Sequence, residues 1–127
     1  MKIEKVHSDH RGETHSLTTP LLNVEEVSFF FTKSGINRGG CIHKFSKEHL
    51  CVIMGEIKYV FGDDTQIRYL QAGESITIDA NVPHYFLSLE DSIVCEWGAP
   101  MSEKKEHHPK FRALVNELNS KIDFKSS

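Results

Sequence analysis

The chain has no apolar run near the ~18 residues that a membrane-spanning helix needs, so no helical membrane span is expected. It has no basic face either. The one basic pair, Lys104-Lys105, lies between Glu103 and Glu106 and reads as mixed, solvated surface. With a formal charge of −3, a nucleic-acid partner is not expected. Cysteine is scarce. Three cysteines, an odd number, fit free thiols in a reducing compartment better than a disulfide framework. The opening Met1-Lys2-Ile3-Glu4-Lys5 lacks the apolar core of a signal peptide, so cytoplasm is the expected location. No internal repeat, low-complexity tract or linker breaks the chain.

What is present fits one folded unit. The 127 residues are 39% hydrophobic and 26% charged, a soluble globular composition. A single domain over residues 1–127 is expected. From Glu13 to Trp97 the pattern is short apolar runs cut by turn residues. Val24 to Thr32 reads as a strand that Lys33-Ser34-Gly35 ends. His49 to Met54 reads as another, turning at Gly55-Glu56. Ile57, Tyr59 and Phe61 alternate with Lys58, Val60 and Gly62, which reads as a strand with one buried face. Gly62-Asp63-Asp64 is a hairpin signal, and Gln66 to Leu70 returns. Ile76 and Ile78, His84 to Leu89 and Ser92 to Trp97 complete the series. Turns at this rate belong to a sandwich or barrel. The expected class is all-β, with the barrel over about residues 13–98. Beyond Pro109 the pattern changes: Phe111, Leu114, Val115 and Leu118 recur at helical steps. One amphipathic helix over about 108–120 is expected, packed on a barrel face or at a subunit contact.

The chemistry-bearing residues fall in two clusters. The first is Arg38-Gly39-Gly40-Cys41-Ile42-His43, then Glu48 and Gly55. The second is Gly73, Asp79, Asn81, Pro83 and His84. A borderline divalent ion takes imidazole nitrogen and carboxylate oxygen. His43, Glu48 and His84 can supply them if two come from one hairpin and the third from another. Cys41 shares a strand face with His43 and is placed as a possible fourth ligand. Zinc is the first choice, with nickel, manganese or iron as alternatives. Each residue also has an ordinary reading. His43, Glu48 and His84 could be plain pocket residues, Cys41 an inert buried thiol and Arg38 a surface ion-pair partner. His49 follows Glu48 and faces the other way, so it reads as structural. His107-His108 before Pro109 reads as a polar helix start. Phe29 to Phe31 read as core or dimer contact.

The two clusters resemble the paired motifs of the cupins. In the first motif, Cys41 replaces the first of two histidines, followed by His43, Glu48 and Gly55. In the second, Gly73 and His84 match, while Asp79, Asn81 and Ser88 depart from it. The flanks narrow the resemblance. Asp9-His10-Arg11-Gly12 and Lys33 to Gly40 look like the cupins that process nucleotide-linked sugars. These include rhamnose-pathway epimerases, sugar ketoisomerases and the cupin domain of a capsular-polysaccharide assembly enzyme.

The resemblance implies a double-stranded β-helix, or jelly-roll barrel, and a homodimer. It implies a nucleotide-sugar or sugar as substrate. Arg38 would contact phosphate or sugar, since its planar fork donates in pairs. Lys44 and Tyr85 are further candidate substrate contacts. His84, His43 and Cys41 are the candidate catalytic residues. An epimerase must take a proton from beside a keto group and return one to the other face. The implied activity is therefore an epimerase or isomerase of a keto-sugar in surface-polysaccharide synthesis. Two other readings stay open: a metal cupin with dioxygenase or lyase chemistry, and a cupin that binds a sugar without turnover.

Overall fold

The computed structural model describes residues 2–18, 26–63, 65–99 and 105–121. Val24, Asp64, Glu103 and Lys104, which enter the sequence reading, lie outside them. In chain order the strands are β1 (Lys2–Asp9), β2 (Gly12–Thr18), β3 (Glu26–Thr32), β4 (Asn37–Ile42), β5 (Glu48–Met54), β6 (Glu56–Phe61), β7 (Gln66–Gln71), β8 (Ser75–Ile78), β9 (His84–Ser88), β10 (Ser92–Trp97) and β11 (Glu106–His107). One helix, α1 (Pro109–Ser120), follows. A six-stranded sheet runs β1-β2-β3-β10-β5-β8, and a five-stranded sheet runs β11-β4-β9-β6-β7. Every pairing is antiparallel. No helix among the described residues is long and apolar enough to cross a membrane.

Strand alternation builds the core. Leu50, Val52 and Val94 point inward from the first sheet; Ile57, Tyr59 and Phe86 meet them from the second. Each such side chain contributes about 1.5–3 kcal/mol by leaving water. β1 pairs with β2, and β2 with β3, so the N-terminal hairpin extends the first sheet. The turn signal at Asp9 to Gly12 was visible, but β1 itself carries little apolar alternation to mark it.

β6 departs from its one-faced reading. Ile57 and Tyr59 are fully buried inward, yet Val60 is buried too. The cause is α1, which packs Phe111 and Val115 against Val60 and Tyr85 on the outer side of the second sheet. A helix of 12 residues is marginal alone, so this burial is what keeps it formed. Pro109 sits in its first turn, and the His108 ring accepts from the Phe111 N–H at 3.3 Å. Gly40 lets the helix approach. Its φ is +90°, and a Cβ there would lie 2.8 Å from Arg112 Cδ and 3.0 Å from Arg112 N. The His108 N–H donates to the Gly40 carbonyl at 2.8 Å.

Candidate active site

His43 directly follows β4, Glu48 opens β5 and His84 opens β9. β4 and β5 belong to different sheets. The expected hairpin carrying both His43 and Glu48 is therefore replaced by a crossover, because the short break at Lys44 to Lys47 changes layer instead of turning back. The crossover still brings the three together. His43 Nε2 lies 2.8 Å from Glu48 Oε2, and His84 Nε2 lies 3.1 Å from Glu48 Oε1. The two rings stand 6.3 Å apart and nearly parallel. His84 also stacks on Tyr59. The His84 contact is an ion pair, and among the described residues Oε1 is the less satisfied oxygen.

A backbone oxygen fixes the tautomer of His84. Its Nδ1 lies 3.0 Å from the Val82 carbonyl, which can only accept, so Nδ1 carries a proton. A neutral His84 would then aim a bare Nε2 at a carboxylate. A second proton on the ring would relieve this. Burial pulls its pKa down, but contact with Glu48 outweighs burial and leaves it raised above 6.5. Burial likewise pushes Glu48 up, and the two imidazoles outweigh it, holding the carboxyl well below its ordinary 4.5. Contact between the two thus favours the carboxylate and imidazolium forms.

Above this pair lies a cavity of about 620 Å³, walled in part by Arg11, Phe30, Arg38, Tyr85, Glu96 and Arg112. Arg38 is 6% exposed, yet both of its hydrogen bonds go to neutral oxygens. Its Nε donates to Thr32 Oγ1 at 2.7 Å and its Nη2 to the Phe31 carbonyl at 3.4 Å. No ion pair reaches it among the described residues. Burial lowers its pKa to about 10, with the charge of Arg11 adding, so it stays cationic. Asp9 and Glu96 act on it only through longer-range attraction, and a buried cation with no ion pair among the described residues favours an anionic ligand. Arg112 donates to the Gly39 carbonyl at 2.7 Å.

The other expected site residues divide. Cys41 and Tyr85 line the cavity, and Cys41 pairs across the strands with His84. Burial raises the Cys41 thiol, so it is a neutral thiol here and a poor base. Lys44 is not brought in. It is exposed, pairs with Glu106 at 3.2 Å and forms no part of the cavity wall, because the crossover turns it outward. His49 faces away, bonded to Thr77 and stacked on Trp97, as expected.

The sequence reading missed Glu96. This side chain is half-buried and faces the cavity. Burial pushes its carboxyl well above 4.5, and the negative charge of Glu48 adds to that. Side-chain contact with Glu48 raises it further. The signal was available, since Glu96 shares strand parity with inward Val94.

Two imidazoles and a carboxylate are the right donor chemistry for a divalent cation, and the Val82 bond is the kind that orients a ligating histidine. As folded, each imidazole meets the carboxylate directly. No three His, Cys, Asp or Glu side chains among the described residues surround a common point as ligands would.

Strand order, barrel and site together define a double-stranded β-helix, the cupin jelly roll. Solved structures agree. The capsular polysaccharide assembling protein CapF of Staphylococcus aureus superposes with a TM-score of 0.71 at 21% identity, over 84% of this chain and 32% of CapF. The chain thus spans about a third of that protein's length. A double-stranded β-helix protein of Klebsiella pneumoniae gives 0.61 at 22% identity, covering 72% of this chain and 73% of its own. The cupin domain of Drosophila melanogaster CENP-C gives 0.63 at 15% identity, over 76% and 75%. At these identities the likeness establishes the fold alone. No protein-family model matches the chain, and no curated protein matches it.

Proposed function

We propose that this cupin moves a proton on a nucleotide-linked keto-sugar, as an epimerase or isomerase in surface-polysaccharide synthesis. The observation that carries this reading is the Glu48 carboxylate held between two imidazoles, under a cavity whose wall holds the Arg38 guanidinium, which makes no ion pair among the described residues. Likeness to a capsular polysaccharide assembling protein supports the substrate class. Arg38 takes the phosphate and Tyr85 lines the bound ligand. His43 with Glu48 accepts the proton from beside the carbonyl, and imidazolium His84 returns one. The neutral thiol of Cys41 stands beside them without taking the base's role. In a metal-loaded form His43, Glu48 and His84 would instead hold a divalent ion, zinc before nickel, manganese or iron, with His84 giving up its Nε2 proton to ligate. When bound, it would withdraw electron density from the carbonyl oxygen. Two copies would pair as a homodimer.

The test is solvent exchange. In deuterium oxide, with a panel of keto-sugar nucleotides, the proton beside the carbonyl should wash out of one substrate by nuclear magnetic resonance. His84→Ala should slow this by about 10²–10⁴-fold and remove most bound metal by elemental analysis. His49→Ala should change neither. Equal metal content in the two variants would remove the ligand set. Binding without exchange would favour the second reading, a sugar-binding cupin without turnover, which Cys41 in place of the first motif histidine supports.

A further inference from the structure

Cys51 on β5 and Cys95 on β10 stand directly opposite each other in the antiparallel register. Their chain neighbours Leu50, Val52 and Val94 are buried inward in the core. By alternation, both thiols therefore lie on the outer face of the sheet, away from the cavity. Opposed residues of antiparallel strands have Cα atoms about 4.5–5.5 Å apart, and a disulfide accepts about 4.4–6.8 Å. Both thiols are free. Cys51 is half-buried and contacts the Val52 carbonyl at 3.7 Å. Cys95 is more covered, with Phe29 opposite it on its other flank. Cys41 lies in the other sheet, across from His84, and is no partner for either.

We propose that Cys51 and Cys95 are an oxidative modification site, joined as a reversible cross-strand disulfide by hydrogen peroxide. Cys51, the more open thiol, attacks peroxide. Its sulfur takes one oxygen, becoming a sulfenic acid, and one water leaves. The Cys95 sulfur then attacks the Cys51 sulfur. The S–S bond forms, the S–O bond breaks, and hydroxide departs with the Cys95 proton as a second water. Two thiols give up two electrons and peroxide becomes two waters. Burial raises the Cys95 thiol to about 11, with Cys51 beside it adding, which makes it the slow, resolving partner. The bond clamps β5 to β10, the strands that carry Glu48 and Glu96 on their inner faces.

The experiment treats the folded protein with hydrogen peroxide, unfolds it and alkylates the remaining thiols with N-ethylmaleimide. Of three cysteines, only Cys41 should take the label. The intact mass should fall by two hydrogens before labelling. A non-reducing peptide map should join the Cys51 and Cys95 segments, and dithiothreitol should restore all labelling. Cys51→Ala and Cys95→Ala should each abolish the product, and Cys41→Ala should keep it. The wild-type map decides by itself if a variant misfolds. Full labelling after oxidation, a bond that includes Cys41, or a bond between two chains would overturn the proposal.

Discussion

Glu48→Gln should destabilise the protein by about 3 kcal/mol near pH 5.5, as expected for breaking a buried ion pair, and by less at either extreme of pH. The sign follows from both partners. Glu48 has a depressed folded pKa, so its contribution is present above 4.5 and fades as pH falls below that value. His84 has a raised folded pKa, so its contribution is complete below 6.5 and fades as pH rises through the raised value. Together they set a window between 4.5 and 6.5 in which the pair stabilises most. At alkaline pH the gap should close. Neutral His84 then offers a bare Nε2, to which the amide of the glutamine variant can donate and the Glu48 carboxylate cannot. Urea unfolding of both proteins with a chelator present, across that range, measures the difference. A difference that does not change with pH would mean that this contact is not a charged pair.

Phe111→Ala should cost about 3–5 kcal/mol. The ring is 1% exposed and meets the edge of Tyr85 at 5.2 Å and of His108 at 4.8 Å. Its loss removes the main anchor of α1, which is too short to stand alone. Helical circular dichroism should fall well before the sheets melt. Binding of an anionic ligand should weaken with it, because Arg112 reaches the cavity only while α1 lies on Gly39 and Gly40. Leu114→Ala, at a half-buried position beside it, should cost about 1 kcal/mol. A similar small loss for both variants, with affinity unchanged, would show that the helix is not part of the cavity wall.

Much of the barrel could be read from local pattern. Ile76 and Ile78 alternate with exposed neighbours, and Leu50 and Val52 with less buried ones, as a strand with one buried face must. Turn chemistry at Gly55 and Gly73 cuts the pattern at the right places. Where another element covers the second face, alternation disappears. Val60 and Tyr85 are buried under α1, a fact that lies some fifty residues downstream of Val60 in the chain. Glu96 shows the same limit from the polar side. Its parity was legible, but a carboxylate pointing inward reads as an anomaly until Glu48 is seen beside it.

Residue types and spacing alone determined that the chain makes a small all-β barrel with a terminal helix, and that His43, Glu48 and His84 belong together. Chain-local physics suffices for that, since side-chain parity and turn residues act over a few positions. Only the tertiary structure decided which strands cross between layers, that Lys44 turns outward, that Arg38 is buried with no ion pair among the described residues, and that Cys51 faces Cys95. Those outcomes depend on which segments become neighbours. That is set by burying two sheets and a helix at once, and no short window of sequence contains it.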